Sequence, residues 1–313
     1  MKQLPPQWQH KCHQQEVRAN NRFLPNVLLL LHQMRLQIVV HLVASSPKSF
    51  LSQLTNKLLT QDAVLVCVAQ TQGSVPRDVG SYMAVFADGL VGTIGGGHLE
   101  YQAVAIAKDL LSGKVPVPPT QRVALGPTLG QCCGGVVFLS YEVVSAADIP
   151  GLTQRLKPAL KPLALFGGGH VGRALVHVFG ALPYEIRWID SRDEVFPSDL
   201  PAYVTAEHSD PVQAAVADLV SGSSVLIMSF SHAEDLEILA SCLLRQRQHQ
   251  DLAYIGLIGS ASKWARFRHR LEERGFGEPD LQRVTTPIGL PGIHSKLPEV
   301  IAVSVAAQLL QLP

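Results

Sequence analysis

Regular patterning of apolar and polar positions begins near Asp62. The run "AVLVCVAQ" (63–70) is short, unbroken and rich in β-branched residues, which predicts a buried strand. "GSVPRDVG" (73–80) is dense in turn formers. "SYMAVFADGLVGTIGGG" (81–97) predicts a β-hairpin that turns at Asp88–Gly89. "HLEYQAVAIAKDLLSG" (98–113) spaces its apolar residues as a helix does and closes on Gly113, a suitable C-terminal cap. After the loop "KVPVPPTQ" come two more strand patterns, "RVALGP" (122–127) and "GVVFLSYEVV" (135–144). Together, residues 61–145 predict a small α+β domain.

"SAADIPGLTQRLKP" (145–158) shifts composition and predicts a linker or a short helix, with the linker at 146–160. From 161 to 313 the pattern changes again. "LALFGGGHVGRALVHVFGAL" (163–182) is a strand, a glycine turn and a helix. Further strand patterns follow at "EIRWIDSR" (185–192), "SSVLIMSFS" (223–231) and "YIGLIGS" (254–260). They alternate with the helical patterns "AEDLEILASCLLRQRQ" (233–248) and "KWARFRHRLEERGF" (263–276), and "LPEVIAVSVAAQLLQL" (297–312) closes the chain as an amphipathic helix. Strands alternating with helices imply a doubly wound parallel sheet. The expected fold class is therefore α/β: a small α+β N-terminal domain followed by a Rossmann-like domain. No internal repeat is visible.

Residues 1–60 lack this order. The first 25 are Gln- and His-rich and read as a partly disordered extension. "NVLLLLHQMRLQIVVHLV" (26–43) is apolar, but His32, Gln33, Arg35, Gln37 and His41 break it. A membrane span needs about 20 nearly uninterrupted apolar residues, and a signal peptide needs a clean apolar core. A helix packed on the body fits better, and Met34 would serve as an alternative start.

Composition adds three limits. With 313 residues, 47% hydrophobic and 16% charged, the chain has ample material for buried cores. A net charge of +1 gives no electrostatic footprint for nucleic acid, and the basic cluster Lys263–Arg274 follows a helical pattern that reads as a solvated face. The five cysteines, Cys12, Cys67, Cys132, Cys133 and Cys242, are odd in number and contain no C-x-x-C pair. They suit a reducing cytoplasm rather than a disulfide framework or a structural zinc site.

Four motifs carry candidate chemistry. "FGGGHVG" places Gly167, Gly169 and Gly172 as G-x-G-x-x-G directly after a strand and at the start of a helix. The first glycine permits the tight turn, the second lets backbone N–H groups approach a phosphate, and the third lets helix and strand pack closely. The helix N-terminus adds partial positive charge. His170, inside the loop, is the best-placed histidine for ligand contact, and Asp190 at the end of the next strand could hold a ribose hydroxyl. The same glycines also suit simple helix–sheet packing. In the second motif, Arg77 sits in a glycine-flanked turn where it could clamp an anion, although taken alone a surface salt bridge is the better account of it. In the third, Gly95, Gly96 and Gly97 precede a helix carrying Glu100, which reads either as a second phosphate cradle or as a tight hairpin-to-helix turn.

The fourth motif is "LGPTLGQCCGG" (125–135). Adjacent cysteines cannot close an unstrained disulfide with each other. Thiolates in a glycine-rich turn are exposed, and nearby backbone N–H groups can lower their pKa. Soft sulfur ligands favour thiophilic metals. Cys132 and Cys133 are therefore candidates for metal ligation or sulfur handling, unless one of them simply faces the core of the next strand. His98, His170, His232 and His294 also lie in or beside glycine-rich turns, but on separate elements that do not suggest one metal site. Asp235 reads as an acidic residue at its helix start.

In combination, "GSVPRDVGSYM", "GTIGGGHLE" and "LGPTLGQCCGG" resemble the first domain of the xanthine dehydrogenase accessory protein family, XdhC/CoxI. "LFGGGHVGRAL", "SFSHAEDLEIL", "YIGLIGSASKWARFRHRL" and "TTPIGLPGIHSKLPEVIAVSVAAQLL" resemble its Rossmann-like second domain. The resemblance runs from about Asp62 to the C-terminus with the motifs in order. Two departures are mild: the usual Ser-Arg is Ser260–Ala261 here, a loss of Arg that would weaken an anion contact, and the usual Thr-His is Ser231–His232. The resemblance implies a chaperone that binds molybdenum cofactor (molybdopterin) as cargo, supports its sulfuration and passes it to a molybdenum hydroxylase. The implied partners are that enzyme's large subunit and a cysteine desulfurase, with neither nucleic acid nor membrane. In that role Arg77 and the glycine turns would suit the phosphate. Cys132 or Cys133 would suit the molybdenum or its sulfur, and Gln131 an oxo group or the pterin. A homodimer is expected, since a cofactor site shared between subunits is a common arrangement.

Two other readings compete. One is an NAD(P)-dependent oxidoreductase using the second domain for NAD(P) or another nucleotide, against which stands the lack of an acid–base constellation beside the glycine loop. The other is a thiol redox sensor, which lacks an evident resolving cysteine.

Overall fold

The computed structural model describes residues 47–116, 118, 120–126 and 134–312. The first sheet comprises β1 (Ala63–Gln72), β2 (Tyr82–Phe86), β3 (Gly89–Gly92), β4 (Gln121–Ala124) and β5 (Val136–Val144). It is antiparallel, in the order β3-β2-β1-β5-β4. Side chains alternate across a strand, and both faces of β1 are covered. Ala63 and Leu65 pack with Phe50, Leu54 and Leu58 of helix α1 (Pro47–Leu58). Val64, Val66 and Val68 pack with Leu99, Ala103 and Ala107 of helix α2 (Gly97–Leu111). A strand buried on both sides reads as an unbroken apolar run, and that is how β1 reads in the sequence.

One local expectation changes: the hairpin turns at Ala87–Asp88, because Gly89 already pairs with Phe86. Of the two readings of 145–158, linker or short helix, the structure has the helix, α3 (Ile149–Arg155), which follows a short 3-10 turn capped by Ser145. Leu152 and Leu156 bury against the α1 side of the first sheet.

The second sheet has six parallel strands: β6 (Lys161–Phe166), β7 (Tyr184–Asp190), β8 (Val204–His208), β9 (Ser224–Ile227), β10 (Tyr254–Leu257) and β11 (Val284–Thr285). Their order is β11-β10-β9-β6-β7-β8. This is the dinucleotide-fold order, with its topological switch between β6 and β9. Helices α4 (His170–Phe179) and α8 (Pro298–Leu310) cover one face through Leu175, Val176, Phe179, Ala302, Val305 and Leu309. Helices α5 (His232–His249) and α6 (Ala261–Glu273) cover the other through Leu236, Leu239, Leu243, Phe267 and Leu271. A short helix α7 (Glu278–Leu281) precedes β11. No helix among the described residues is long and apolar enough to cross a membrane.

Candidate functional site

Three sequence motifs meet at one end of the first sheet. The turn that carries Arg77 packs directly on the triple-glycine turn. A Cβ on Gly95 would stand 2.5 Å from Pro76 Cγ and 3.7 Å from Arg77 Cγ, so only glycine allows this approach. The same loop meets the root of the cysteine turn. Gly135 N–H donates to the Ser74 carbonyl at 3.1 Å, and the Gly135 carbonyl accepts from Leu125 N–H at 2.8 Å. A Cβ on Gly135 would lie 2.3 Å from that Ser74 oxygen. Gln131, Cys132 and Cys133 lie outside the described residues. Leu125 and Gly135, hydrogen-bonded to each other, flank these three residues in the sequence and lie beside the Arg77 turn.

The triple-glycine turn has its own anion. Glu100, in the first turn of α2, folds back over it. Its Oε2 accepts from Gly96 N–H at 3.1 Å, Ile94 N–H at 3.3 Å and Thr93 Oγ1 at 2.6 Å, while Thr93 Oγ1 accepts from Gly95 N–H at 3.1 Å. The amides of Gly95 and Gly96 are thus spent on the protein's own side chains. The three glycines all carry left-handed backbone, with φ of 126°, 72° and 62°. The tight-turn reading accounts for them without a ligand.

Both cysteines among the described residues are poor thiolates. Burial pushes Cys242 up to about 12. Burial also raises Cys67, in spite of hydrogen bonding with Tyr82 and Ser140.

In the second domain the glycine loop has the geometry a phosphate turn requires. Gly167 has φ 129° and packs on the end of β9, where a Cβ would stand 2.1 Å from the Met228 carbonyl oxygen. A Cβ on Gly172 would stand 2.0 Å from the Gly167 carbonyl oxygen, so this third glycine lets α4 close on the strand. Gly169 N-caps α4 without a side-chain hydrogen bond, and nothing lies within 4 Å of its Cβ direction. The opening is there, with His170 exposed beside it.

Asp190 does not stand ready for a ribose. It is 1% exposed, and its carboxylate is surrounded by donors. Oδ2 accepts from Gly168 N–H at 2.6 Å and Arg192 Nη2 at 3.0 Å. Oδ1 accepts from Arg192 N–H and Nε, each at 2.9 Å. Burial alone would raise its pKa, but the bonds from Arg192 and Gly168 reverse the effect and hold it below the usual carboxylate value. The stability these bonds give at neutral pH is lost as pH falls through that lowered pKa. The Arg192 guanidinium lies 4.4 Å from the ring centroid of Phe230, an exposed aromatic after β9. The sequence reading marks neither Arg192 nor Phe230 as a site residue; the sheet order brings them together.

Nearby lies a buried ion pair. Asp235 Oδ2 accepts from Lys263 Nζ at 2.5 Å, with the two side chains 4% and 8% exposed. Asp235 Oδ1 takes Ser229 N–H and Oγ, each at 2.7 Å, and Lys263 also donates to the Ile258 carbonyl at 2.8 Å. Asp235 therefore joins the ends of β9 and β10 as well as sitting at a helix start, and Lys263 is not part of a solvated basic face.

Two family models match the chain: one described as the XdhC Rossmann domain, over residues 163–309, and one as the XdhC and CoxI family, over residues 60–123. The uncharacterized protein YqeB of Escherichia coli K12 is 30% identical over 251 residues, covering 78% of this chain and 42% of that protein. The chain thus spans less than half the length of this curated relative. A crystal structure of a xanthine dehydrogenase from Bacillus halodurans superposes with a TM-score of 0.68 at 21% identity, covering 83% of this chain and 94% of that one. At that identity the likeness is one of fold.

Proposed function

The chain belongs to the XdhC/CoxI family, and from that premise we propose that it is a molybdenum cofactor chaperone. It binds the cofactor as cargo, supports its sulfuration and hands it to a xanthine dehydrogenase-type molybdenum hydroxylase. Its partners are that enzyme's large subunit and a cysteine desulfurase, and it works in the cytoplasm, as a homodimer. One observation carries this reading: the Arg77 turn, the triple-glycine turn and Leu125 and Gly135, which flank Cys132–Cys133 in the sequence, converge at one end of the first sheet.

Molybdopterin is an anionic, phosphate-bearing pterin that holds its metal through sulfur. Arg77 supplies a cation for the phosphate. Cys132 or Cys133 supplies a soft ligand for the metal or carries the sulfur, and Gln131 a hydrogen bond to an oxo group or the pterin. The raised pKa values of Cys67 and Cys242 favour giving the thiol chemistry to the paired cysteines.

The alternative, an NAD(P)-dependent oxidoreductase, would place the pyrophosphate at Gly167, Gly169, His170 and Gly172. The open side of Gly169 favours it. The commitment of Asp190 to Gly168 and Arg192 removes the ribose acceptor that NAD would use.

The test is a variant carrying both Cys132→Ala and Cys133→Ala. Expected is a fall of about tenfold or more in retained cofactor, on the scale of losing a charge-assisted contact, with circular dichroism and the unfolding midpoint unchanged. Cofactor retention equal to that of the wild type would remove the cysteines from the site.

A further inference from the structure

The motif that closes the chain, "TTPIGLPGIHSKLPEVIAVSVAAQLL", has no part in the sites above, yet it lines a cavity of about 990 Å³. The cavity lies at the carboxyl ends of two strands: Ile258, Gly259 and Ser260 connect β10 to α6, and Thr285 ends β11. Open α/β sheets bind ligands at that end of their strands, and the volume is that of a small-molecule site. Neither the glycine loop at Gly167–Gly172 nor Asp190 lines it.

One side is α8, where Ile301, Ser304 and Gln308 recur at helical spacing and span about 10 Å along the axis. Another is the loop from Ile288 to Ser295, which two side chains of α8 hold in place. Gly289 N–H donates to Gln308 Oε1 and Leu290 N–H to Ser304 Oγ, each at 2.8 Å. The Tyr254 hydroxyl donates to the same Gln308 oxygen at 2.8 Å. Gly289 has φ 99°, and a Cβ there would stand 2.6 Å from Ser304 Oγ, so glycine is what lets the loop come this close. The protein's own hydrogen bonds thus set the cavity's shape.

The chemistry of the lining is lopsided. Ile258, Ile288, Leu290, Ile293 and Ile301 face it, and no phenyl, phenol or indole ring does so among the described residues. A flat ring system finds no stacking partner there, whereas a jointed aliphatic chain packs well between branched side chains. Lys296, just before α8, supplies the cation, with His294 beside it. Lys296 makes no hydrogen bond or ion pair with another described residue, and no carboxylate lines the cavity. A single cation beside an elongated apolar space suits one negative charge on an apolar chain.

We propose that this cavity binds an aliphatic monocarboxylate, with its carboxylate on Lys296 and its chain along α8 against Ile288, Leu290 and Ile301. The site uses none of the residues assigned to molybdenum cofactor or to a nucleotide, and it stands or falls separately from both readings.

The experiment is calorimetric titration of the full chain with octanoate, with octanamide, which keeps the chain and lacks the charge, and with acetate, which keeps the charge and lacks the chain. Expected is saturable binding of octanoate, with octanamide about tenfold or more weaker and acetate not saturating. Lys296→Ala should weaken octanoate to the level of octanamide and leave octanamide unchanged. Leu290→Ala should weaken both ligands several-fold. Lys108→Ala, an exposed cation on α2 in the first domain, and the variant carrying both Cys132→Ala and Cys133→Ala should bind octanoate as the wild type does. Unfolding midpoints measured in parallel check that the variants are folded. The proposal is overturned if octanoate does not saturate the wild type, if octanamide or acetate binds as tightly as octanoate, or if Lys296→Ala keeps the wild-type affinity.

Discussion

Lys263→Ala should cost about 3–5 kcal/mol of stability, the scale for breaking one side of a buried ion pair. Lys263 is 6% exposed and Asp235 3%. Removing the ammonium leaves the Asp235 carboxylate buried with only Ser229 N–H and Oγ as donors. The Ile258 carbonyl loses its Lys263 donor in the same change. Two strand ends, those of β9 and β10, are therefore loosened together. Urea unfolding followed by circular dichroism measures the loss. The sharper form of the test is a double-mutant cycle of Lys263→Met with Asp235→Asn. The double variant should recover much of what the worse single variant loses, because no charge is then left unpaired. Simple additivity of the two single losses would show that the pair is not coupled.

The second large effect is expected at Gly172→Ala. A methyl there would stand 2.0 Å from the Gly167 carbonyl oxygen, which is backbone and cannot swing aside. That oxygen also accepts from Trp188 Nε1 at 2.9 Å, and Trp188 is almost fully buried. The helix must move off the sheet, and overpacking of this kind costs about 1–3 kcal/mol. A change in Trp188 fluorescence should accompany it. Gly169→Ala is the control: nothing lies within 4 Å of its Cβ and its φ is −73°, so its stability should stay within about 0.5 kcal/mol of the wild type. Equal losses at both positions would contradict the close-approach role given to Gly172.

The same pair of glycines shows what the sequence can and cannot tell. Strand, glycine loop and helix follow one another locally, so the parallel second domain is legible from the order of patterns alone. β1 is legible for a similar reason, since its first part, Ala63–Val68, is covered on both faces and has no polar positions to confuse it. The short edge strands β8 and β11 are not. β8, "VTAEH", has one buried residue, and β11 has two residues in all. Neither has enough burial to impose a pattern.

At the candidate sites, the residue types were legible and their partners were not. Glu100 is visible beside the triple glycine, but only the fold shows its carboxylate filling the turn that a phosphate would use. Asp190 stands where a ribose acceptor belongs, yet Arg192, two residues on, takes both its oxygens. Arg155 and Lys157 lie far in sequence from Arg77, and only the return of α3 onto the first sheet brings them beside it. Asp235 and Lys263 sit on different helices, and no local spacing links them. For Arg155, Lys157, Asp235 and Lys263 the missing information is a tertiary partner, which short-range periodicity does not encode.

The central claim is that this chain carries molybdenum cofactor, and direct retention of the isolated cofactor tests it. The full chain would be mixed with cofactor without oxygen and passed over a gel-filtration column, and the pterin in the protein peak read by its fluorescence after oxidation. NADPH would be run in parallel on the same protein. The account predicts near-stoichiometric pterin in the protein peak of the wild type. Pterin that elutes free of the protein, together with retained NADPH, would contradict it and move the function to the glycine loop of the second domain.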